Sequence, residues 1–554
     1  MSENNSFLDE LNCQQKQACL CERNVLLIAC PGSGKTRTLA YRLAYLQSCF
    51  PESRLLNIAI TYTNKAAEEI SDRLEVLVDE TESIWVGTIH QFCLNFVLYP
   101  YAQYSPKLNK GFRVIDEWEQ QKIKKEKKEL KEYERFLEKE KLIDFSGILT
   151  ETLYLLQAQP FIAKNLAHIF RSFLVDEYQD TQEIQYSILA SIHSHKPTIN
   201  LFFVGDPNQA IYGGLGGLAK TVTELQKQFS TDFVSLTLLG CYRSDQKIID
   251  YYRHFELTTV EIKSQIEKKD SIVCFDKTVL DENLPRLIAE IIQAEIKRGT
   301  ELHEICLVAP QWWLLRSMAN NLKNILPNIT FHSPKVTPFK YDPDNLFYFL
   351  ARILFARRGR RVNLRLKWAS KILTILSRKY GIDAESDFSP IDILNLINHT
   401  KYSSKAIEYY INAVDQLLSG LLLDLGTEEL INSEFGNYFS EVKNRLETYN
   451  FADLTEDFYD LFERQHGVFL DTIHGIKGKE FEAVIAFSLH EGKVPHYTIN
   501  NVKLAREDAK RLLYVLCSRA KSRLFLFSEC NFNKNVPTKE LDTLVNDYDE
   551  LPFV

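Results

Sequence analysis

The sequence predicts an α/β protein with a parallel sheet whose ligand lies at the carboxyl ends of the strands. Three apolar runs support this prediction: Val25–Ala29, Phe173–Val175 and the run that starts at Leu201 each continue directly into a polar turn. Continuous aliphatic runs of this kind are typical of strands buried in parallel sheets. Open α/β sheets bind their ligands where the strands end, so we expect the polar turns to share one site.

The composition is that of an ordinary globular protein. The chain has 554 residues, 45% hydrophobic and 25% charged, with 66 Lys+Arg against 74 Asp+Glu and a net charge of −8. These values exclude a disordered chain, a collagen-like fibre and a small disulfide-stapled protein. At about 100–200 residues per domain, the length predicts about three to five domains. The acidic balance argues against a uniformly basic nucleic-acid binder but is compatible with a local basic track.

The N-terminal residues and the cysteines predict a cytoplasmic location. The chain starts with a polar, acidic stretch rather than a signal peptide, and no apolar window is long enough for a transmembrane helix. The 11 cysteines are scattered, without a C-x-x-C pair or a cluster of Cys and His at metal-ligand spacing. We therefore expect reduced, mostly buried cysteines and neither a zinc nor an iron–sulfur site.

The first polar turn has the pattern of a phosphate-binding loop. From Ala29 onward the sequence reads A-x-x-x-x-G-K-T, and an amphipathic helix follows. Glycines let backbone N–H groups curl around phosphate oxygens, and a helix N-terminus attracts anions. In this pattern Lys35 reaches the β- and γ-phosphates and the Thr36 hydroxyl binds Mg²⁺. The predicted nucleotide-binding residues of the loop are Gly32, Ser33, Gly34, Lys35, Thr36 and Arg37.

The other two turns supply acidic and amide side chains. Asp176 and Glu177 directly follow the second apolar run. Asp176 would hold Mg²⁺, and Glu177 would polarise the attacking water. An acidic pair alone is weak evidence, but a phosphate-binding loop earlier in the chain makes it strong. In the third turn, Asp206 and Gln209 stand where a sensor of the γ-phosphate would lie.

The order of these motifs resembles that of superfamily 1 helicases of the UvrD/Rep/PcrA type. Further stretches resemble the family's other nucleotide-binding motifs: LNCQQ at 11–15, LGCYRS at 239–244 and the stretch that starts at Glu507. The resemblance implies that Gln15 reads adenine, Tyr242 stacks on it and Glu480 contacts the ribose. It also implies that Arg243 binds the γ-phosphate and that Arg519 is an arginine finger. The implied catalytic residues are Lys35, Asp176, Glu177, Gln209, Arg243 and Arg519.

Three stretches resemble the family's DNA-binding motifs: ITYTNKAAEEI at 60–70, GTIHQFC at 87–93 and DTIHGIKGKEFEAV at 471–484. With Tyr212, they imply a DNA site in which Tyr62 and Tyr212 stack on bases. The implied DNA-binding residues are Tyr62, Thr63, Asn64, His90, Tyr212 and His474. Gly475 stands at a position where the family often has serine.

The resemblance implies an α/β fold with two RecA-like P-loop NTPase domains, each a parallel sheet with an inserted helical subdomain. We expect domain 1A at residues 1–93 and 146–217, with insertion 1B at 94–145. Domain 2A is expected at 218–339 and 463–554, with insertion 2B at 340–462. ATP would lie between the domains. Arg243 and Arg519 would come from the second domain, which would make hydrolysis depend on closure.

Both insertions contain charged stretches for which the sequence allows more than one role. Trp118–Phe145 is a charge-dense helical stretch that is typical of a solvated helix or of a subdomain facing DNA or a partner. The segment 340–462 has helical periodicity and a basic cluster, which favours phosphate contacts and an interdomain or partner surface about equally. The members of this cluster are Arg352, Arg357, Arg358, Arg360, Arg361, Arg365 and Lys367.

One departure from the family follows Tyr212. The family usually has an aromatic residue and then an arginine there, whereas this chain runs through the glycine-rich segment Gly213–Gly217. Base stacking contributes about 1–3 kcal/mol per base, so we expect a weaker grip on single strands. The motifs for ATP hydrolysis are thus nearly complete, while the sequence leaves undecided whether the protein separates DNA strands.

These observations predict an ATP-dependent DNA helicase or translocase with ATP and Mg²⁺ as cofactors. We expect single-stranded DNA to stimulate its ATPase, 3′→5′ polarity, and single-stranded or 3′-tailed duplex DNA as the partner. Repair and anti-phage defence both stay open; the compact insertions and the altered turn favour the helicase subunit of a Gabija-type defence system. Only 35 residues follow Arg519, so we expect nuclease activity to come from a protein partner. The alternative is an ATP-binding sensor or assembly subunit with weak or no unwinding, and an RNA substrate is compatible with the motifs.

Overall fold

The computed structural model describes most of the chain. The described residues are 3–50, 54–78, 83–115, 117–127, 129–213, 216–267, 270–333, 338–340, 342, 345–356, 362–384, 386–423, 428–449, 453–459, 467–499, 501–531, 535–544 and 548–551. Four arginines of the predicted basic cluster (Arg357, Arg358, Arg360 and Arg361) and residues 214–215 of the glycine-rich segment lie outside them. Across the described ranges, no helix combines the length and the apolar character needed to cross a bilayer.

Strands and helices alternate along much of the chain. The strands are β1 Val25–Ala29, β2 Leu56–Thr61, β3 Ile84–Thr88, β4 Arg113–Val114, β5 Leu142–Ile143, β6 Phe170–Val175, β7 Asn200–Gly205, β8 Val234–Leu238, β9 Gly240–Cys241, β10 Lys263–Ser264, β11 Ile272–Asp276, β12 Ile305–Ala309, β13 Phe331–His332, β14 Val468–Thr472, β15 Phe481–Ala486 and β16 Ala520–Phe527. The α-helices are α1 Cys13–Leu20, α2 Lys35–Cys49, α3 Asn64–Leu77, α4 Ile89–Phe92, α5 Tyr99–Tyr101, α6 Glu117–Glu126, α7 Leu130–Lys139, α8 Phe145–Ala158, α9 Pro160–Ile169, α10 Glu183–His193, α11 Val222–Phe229, α12 Gln246–Arg253, α13 Leu284–Lys297, α14 Trp312–Ile325, α15 Leu346–Leu354, α16 Val362–Tyr380, α17 Pro390–Asn398, α18 Ala406–Gly420, α19 Glu429–Tyr449, α20 Thr455–Tyr459, α21 Val502–Cys517 and α22 Lys539–Asp542.

The first sheet has six parallel strands in the order β3-β2-β6-β7-β1-β8. Residues of β1 and β7 pack in one apolar cluster with Leu39 and Leu43 of α2, so these strands are buried as their aliphatic sequences predict. The three predicted strands are β1, β6 and β7, and they are neighbours in the sheet. Their polar turns therefore lie at the same edge. This confirms the predicted α/β class, and the common ligand site stays a prediction.

Contacts divide the chain into two compact units. The first unit comprises Met1–Cys274, Val494–Arg523 and Thr538–Val554; the second comprises Phe275–Lys493 and Leu524–Pro537. The predicted domain boundary at 218 differs from this division, because β8 pairs with β1 in the first sheet. Helix α21, expected in domain 2A, belongs to the first unit as well. The chain passes from the first unit to the second within β11 and β16.

The second sheet has the order β11-β16-β15-β12-β14-β13, and β12 runs parallel to both β14 and β15. Helices α15 to α20 share a separate apolar cluster, as the helical periodicity of 340–462 predicts. Two members of the basic cluster serve this core. The guanidinium of Arg352 lies 4.3 Å from the ring centroid of Trp368, and buried Arg365 donates to Asn398 Oδ1 at 2.7 Å. Arg365 is thus engaged within this core, and the phosphate contact and the partner surface both stay predictions for the cluster.

The charge-dense stretch forms two helices, α6 and α7, followed by the short strand β5 that pairs with β4. Its apolar side chains Ile123, Tyr133 and Leu137 pack with Ile115 in a small cluster. The Tyr133 hydroxyl donates to Asp144 Oδ2 at 2.8 Å. The stretch therefore forms two helices that share a small apolar cluster, while most of their described charged side chains are exposed. A surface facing DNA or a partner stays a prediction.

Candidate functional site

The phosphate-binding loop depends on glycine at two positions. Gly32 and Gly34 have φ values of 72° and 80°, in the left-handed region that favours glycine. A Cβ on Gly32 would lie 2.6 Å from the Cβ of Arg243, and a Cβ on Gly34 would lie 2.8 Å from Gln15 Nε2. The hydroxyl of Ser33 closes the loop by donating to the Cys30 carbonyl oxygen at 2.7 Å.

Helix α2 presents an N-terminus suited to an anion. Its N-cap is Gly34, which has no side chain that could accept a hydrogen bond from the first N–H groups of the helix. Such N–H groups and the helix dipole together attract phosphate. Lys35 and Thr36 form the first two positions of this helix, so the predicted phosphate and Mg²⁺ residues stand at the same edge of the sheet as the acidic turn.

The acidic pair has an unusual environment. Burial, and then the neighbouring Glu177, raise the pKa of Asp176 to about 7, although Lys35 acts in the opposite direction. Glu177 has a φ of 49°, a conformation that costs a residue other than glycine about 1–3 kcal/mol and that is found at functional sites. A hydroxyl from Thr36 and a carboxylate from Asp176 are the hard oxygen donors that Mg²⁺ prefers. These residues therefore fit the metal.

A chain of hydrogen bonds joins the acidic turn to the third turn. Gln179 donates from Nε2 to the Glu177 carboxylate and accepts at Oε1 from the Asp206 backbone N–H at 3.1 Å. Asp206 in turn accepts from Gln209 Nε2 at 2.8 Å, and Gln209 Oε1 accepts from Arg519 Nη2 at 3.0 Å. We call these five residues the amide relay. The role of Gln179 went unpredicted, although it belongs to the quoted motif DEYQDT.

Arg519 is fully buried, and its Nε donates to the Val515 carbonyl oxygen at 3.0 Å. Burial and then the charge of Arg243 lower its pKa to about 9, so it keeps its positive charge at neutral pH. Arg243 itself donates to the Ser518 carbonyl oxygen at 3.1 Å. The predicted division assigns both arginines to a second domain, whereas the structure places them in the same compact unit as Lys35.

The predicted adenine residues lie beside the phosphate-binding loop. Gln15 is 3% exposed and donates to the Ser33 carbonyl oxygen at 2.9 Å, so its amide supports the loop. Tyr242 is 47% exposed, and its hydroxyl accepts a hydrogen bond from Asn12 Nδ2 at 2.7 Å. Arg37 forms an ion pair with Glu10 at 3.0 Å.

Glu480 and His474 are exposed residues of the second unit. The ribose contact of Glu480 and the DNA contact of His474 stay predictions. The turn that carries them explains Gly475. A Cβ there would lie 1.9 Å from Asp471 Oδ1, and this buried carboxylate forms an ion pair with Lys479 at 2.8 Å. The Cβ of a serine at this position would push the Asp471 carboxylate aside. The ion pair between Asp471 and Lys479 therefore needs glycine at position 475.

The predicted stacking residues come together. The rings of Tyr62 and Tyr212 stack with centroids 4.9 Å apart and planes 22° apart, and Tyr62 is 42% exposed. Thr63 caps helix α3 by accepting from the Ala66 backbone N–H at 3.2 Å, so its hydroxyl has a structural task. The side-chain oxygen of neighbouring Asn64 is buried without a hydrogen-bond partner among the described residues. His90 packs edge-on against Phe145 at 5.2 Å, and burial lowers its pKa.

Comparison with known proteins identifies one family over both halves of the chain. Residues 11–129 and 119–230 match the UvrD/REP helicase N-terminal domain. Residues 423–530 match the UvrD-like helicase C-terminal domain. The matched ranges include the phosphate-binding loop, the acidic turn, the third turn and Arg519.

Individual relatives align with nearly the whole chain. The ATP-dependent DNA helicase UvrD1 of Mycobacterium leprae is 28% identical over 95% of this chain and 83% of its own length. A probable DNA helicase II homolog of Mycoplasma genitalium is 25% identical over 95% of this chain and 86% of its own. The ATP-dependent DNA helicase PcrA of Staphylococcus aureus is 23% identical over 94% of this chain and 83% of its own.

Proposed function

Since the chain belongs to the UvrD/Rep helicase family, we propose that it hydrolyses ATP and uses the free energy to move along DNA. The observation that carries this proposal is the amide relay, an unbroken set of hydrogen bonds from the Glu177 carboxylate to the Arg519 guanidinium. A site that only binds nucleotide has no need for a carboxylate and a guanidinium whose relative positions are fixed by hydrogen bonds.

Each residue has a task in phosphoryl transfer. The N–H groups at the start of α2 and the Lys35 ammonium bind phosphate oxygens. Glu177 orients the attacking water and accepts its proton. Arg519 stabilises the charge that develops on the γ-phosphate, a contribution of about 10³–10⁵ in rate in related reactions. Mg²⁺ held by Thr36 and Asp176 supplies neutralising charge for the phosphates.

The third turn joins hydrolysis to DNA. Gln209, which accepts from Arg519, precedes Tyr212 by three residues, and Tyr212 stacks on Tyr62. A shift of this turn during hydrolysis therefore changes the base platform as well. We extend the proposal to 3′→5′ movement, and to repair or anti-phage defence with a nuclease partner; its support is the motif resemblance and the altered segment after Tyr212.

ATP hydrolysis measured with and without single-stranded DNA tests the proposal. We expect many-fold stimulation by DNA, and loss of turnover when a chelator removes Mg²⁺. Slow turnover that DNA leaves unchanged would instead support the ATP-binding sensor or assembly subunit, which the glycine-rich segment favours. A parallel measurement with single-stranded RNA distinguishes the two nucleic acids.

A further inference from the structure

The third turn is fastened to a distant loop by one buried side chain. Asn208 is 1% exposed. Its Oδ1 accepts from the backbone N–H groups of Leu257 and Thr258, both at 2.9 Å, and its Nδ2 donates to the Thr258 carbonyl oxygen at 2.9 Å. These three bonds span 49 or 50 residues of sequence, and a buried amide so engaged fixes the geometry of both segments.

Asn208 lies in sequence between Asp206 and Gln209, two residues of the amide relay, but its side chain forms none of the relay's hydrogen bonds. Its own backbone N–H donates to Asp206 Oδ1 at 3.0 Å, and the residue that follows is Gln209. A movement of Gln209 relative to Arg519 therefore carries the side chain of Asn208 with it.

The loop held by Asn208 follows helix α12, and the segment before this helix contains Tyr242 and Arg243. At that end, the Tyr242 backbone N–H donates to the Gly32 carbonyl oxygen at 2.8 Å. The segment 240–258 is thus bound to the phosphate-binding loop at one end and to the third turn at the other. In between, Tyr252 packs edge-on against Tyr514 of α21 at 5.1 Å.

We propose that Asn208 is a positioning residue that couples the γ-phosphate side of the ATP site to the segment 240–258. Through this link the third turn and Arg243 take up their positions together. The Asn208 side chain is engaged by residues 257–258, so we expect its loss to impair turnover while nucleotide affinity persists. The inference rests on the proposed function, because it assigns Gln209, Arg243 and Arg519 to hydrolysis.

Asn24 provides a matched control. Its Oδ1 accepts from the Leu201 backbone N–H at 2.9 Å, and its Nδ2 donates to Thr231 Oγ1 and to the Asp232 carbonyl oxygen, both at 3.1 Å. Asn24 thus also ties two distant segments, but it precedes β1 and lies at the sheet edge opposite the phosphate-binding loop. Asn24→Ala removes a comparable set of hydrogen bonds away from the site.

The test compares full-length Asn208→Ala, Asn208→Asp and Asn24→Ala by thermal unfolding and by ATPase kinetics with and without a dT oligonucleotide. We expect Asn208→Ala to lower kcat about tenfold or more, with KM for ATP changed less than about twofold. Asn208→Asp keeps an acceptor for both N–H groups and should lose less. Asn24→Ala should lower the melting temperature and keep kcat and its stimulation by DNA.

Wild-type kcat in Asn208→Ala, or an equal loss of kcat in Asn24→Ala, would overturn the inference. If Asn208→Ala does not fold, the comparison of Asn208→Asp with Asn24→Ala decides in the same way. Absence of DNA stimulation in the wild type would contradict the proposed function alone, since the ratio of basal kcat values still tests Asn208.

Discussion

Arg519 bears most directly on catalysis at the scale of single residues. Its guanidinium reaches Gln209 while its own Nε is anchored to Val515. Replacement by alanine removes the charge that opposes the developing phosphate charge, so we expect kcat to fall by about 10³ or more. Binding of a fluorescent ATP analogue should persist, because the phosphate-binding loop is untouched.

Arg523→Ala is the control for Arg519→Ala. Arg523 donates to the Asp270 carbonyl oxygen at 2.9 Å and takes no part in the amide relay. Its loss should leave turnover close to wild type. Unimpaired ATP hydrolysis in Arg519→Ala would show that Arg519 is not an arginine finger.

The tyrosine pair governs the grip on DNA. Tyr62→Ala deletes the exposed member of the stack, and base–aromatic stacking contributes about 1–3 kcal/mol per base. We expect single-stranded DNA affinity, measured by fluorescence anisotropy, to fall by the corresponding factor of about 5–150. Tyr104 is 42% exposed, as Tyr62 is, so Tyr104→Ala is the matched control. Equal losses in both variants would argue against a specific base platform.

The turn between β14 and β15 illustrates the scale of elements. Gly475→Ala would place a Cβ against Asp471 and loosen its ion pair with Lys479, so we expect urea unfolding to report a loss of about 1–3 kcal/mol. Gly436 in α19 has open space around its Cβ position, and Gly436→Ala should be neutral or stabilising by about 1 kcal/mol. A neutral Gly475→Ala would show that the turn tolerates the displacement.

Strands and loops that have a strong local sequence pattern can be predicted from the sequence, whereas contacts between distant residues cannot. The apolar run Val25–Ala29 predicts β1 with the bounds that the structure has, because a buried parallel strand is aliphatic throughout. The positive φ values of Gly32 and Gly34 follow from the loop pattern. The bonds of Asn208 to residues 257–258 have no local signal, since they depend on how two remote segments pack. Arg365 shows the converse, because an arginine in a basic cluster gives no sign that it is buried.

The whole molecule reconciles an acidic chain with a polyanionic substrate. The net charge of −8 includes the carboxylates of Asp176, Glu177 and Asp206, which we assign to the nucleotide site. A translocase must release its strand at each step, so a local contact suits it better than a uniformly basic surface. The contact that we assign is the pair of Tyr62 and Tyr212.

Strand separation is the activity that the altered third turn should weaken. Without the family's aromatic residue and arginine after Tyr212, the platform has fewer groups to hold a base against the pull of a duplex. We expect a 3′-tailed duplex to be unwound much more slowly than the protein moves on single-stranded DNA. A strand-displacement assay measures this, and unwinding as fast as translocation would show that another platform compensates.

ATP-driven movement along single-stranded DNA is the central claim, and displacement of streptavidin from biotinylated oligonucleotides measures it directly. With the biotin at the 5′ end, ATP should speed the release of streptavidin many-fold, because a 3′→5′ translocase runs toward that end. With the biotin at the 3′ end, the rate should stay at its ATP-free value. Faster release only from the 3′ end would reverse the polarity. Release that ATP leaves unchanged at both ends, in a protein that hydrolyses ATP, would contradict the account.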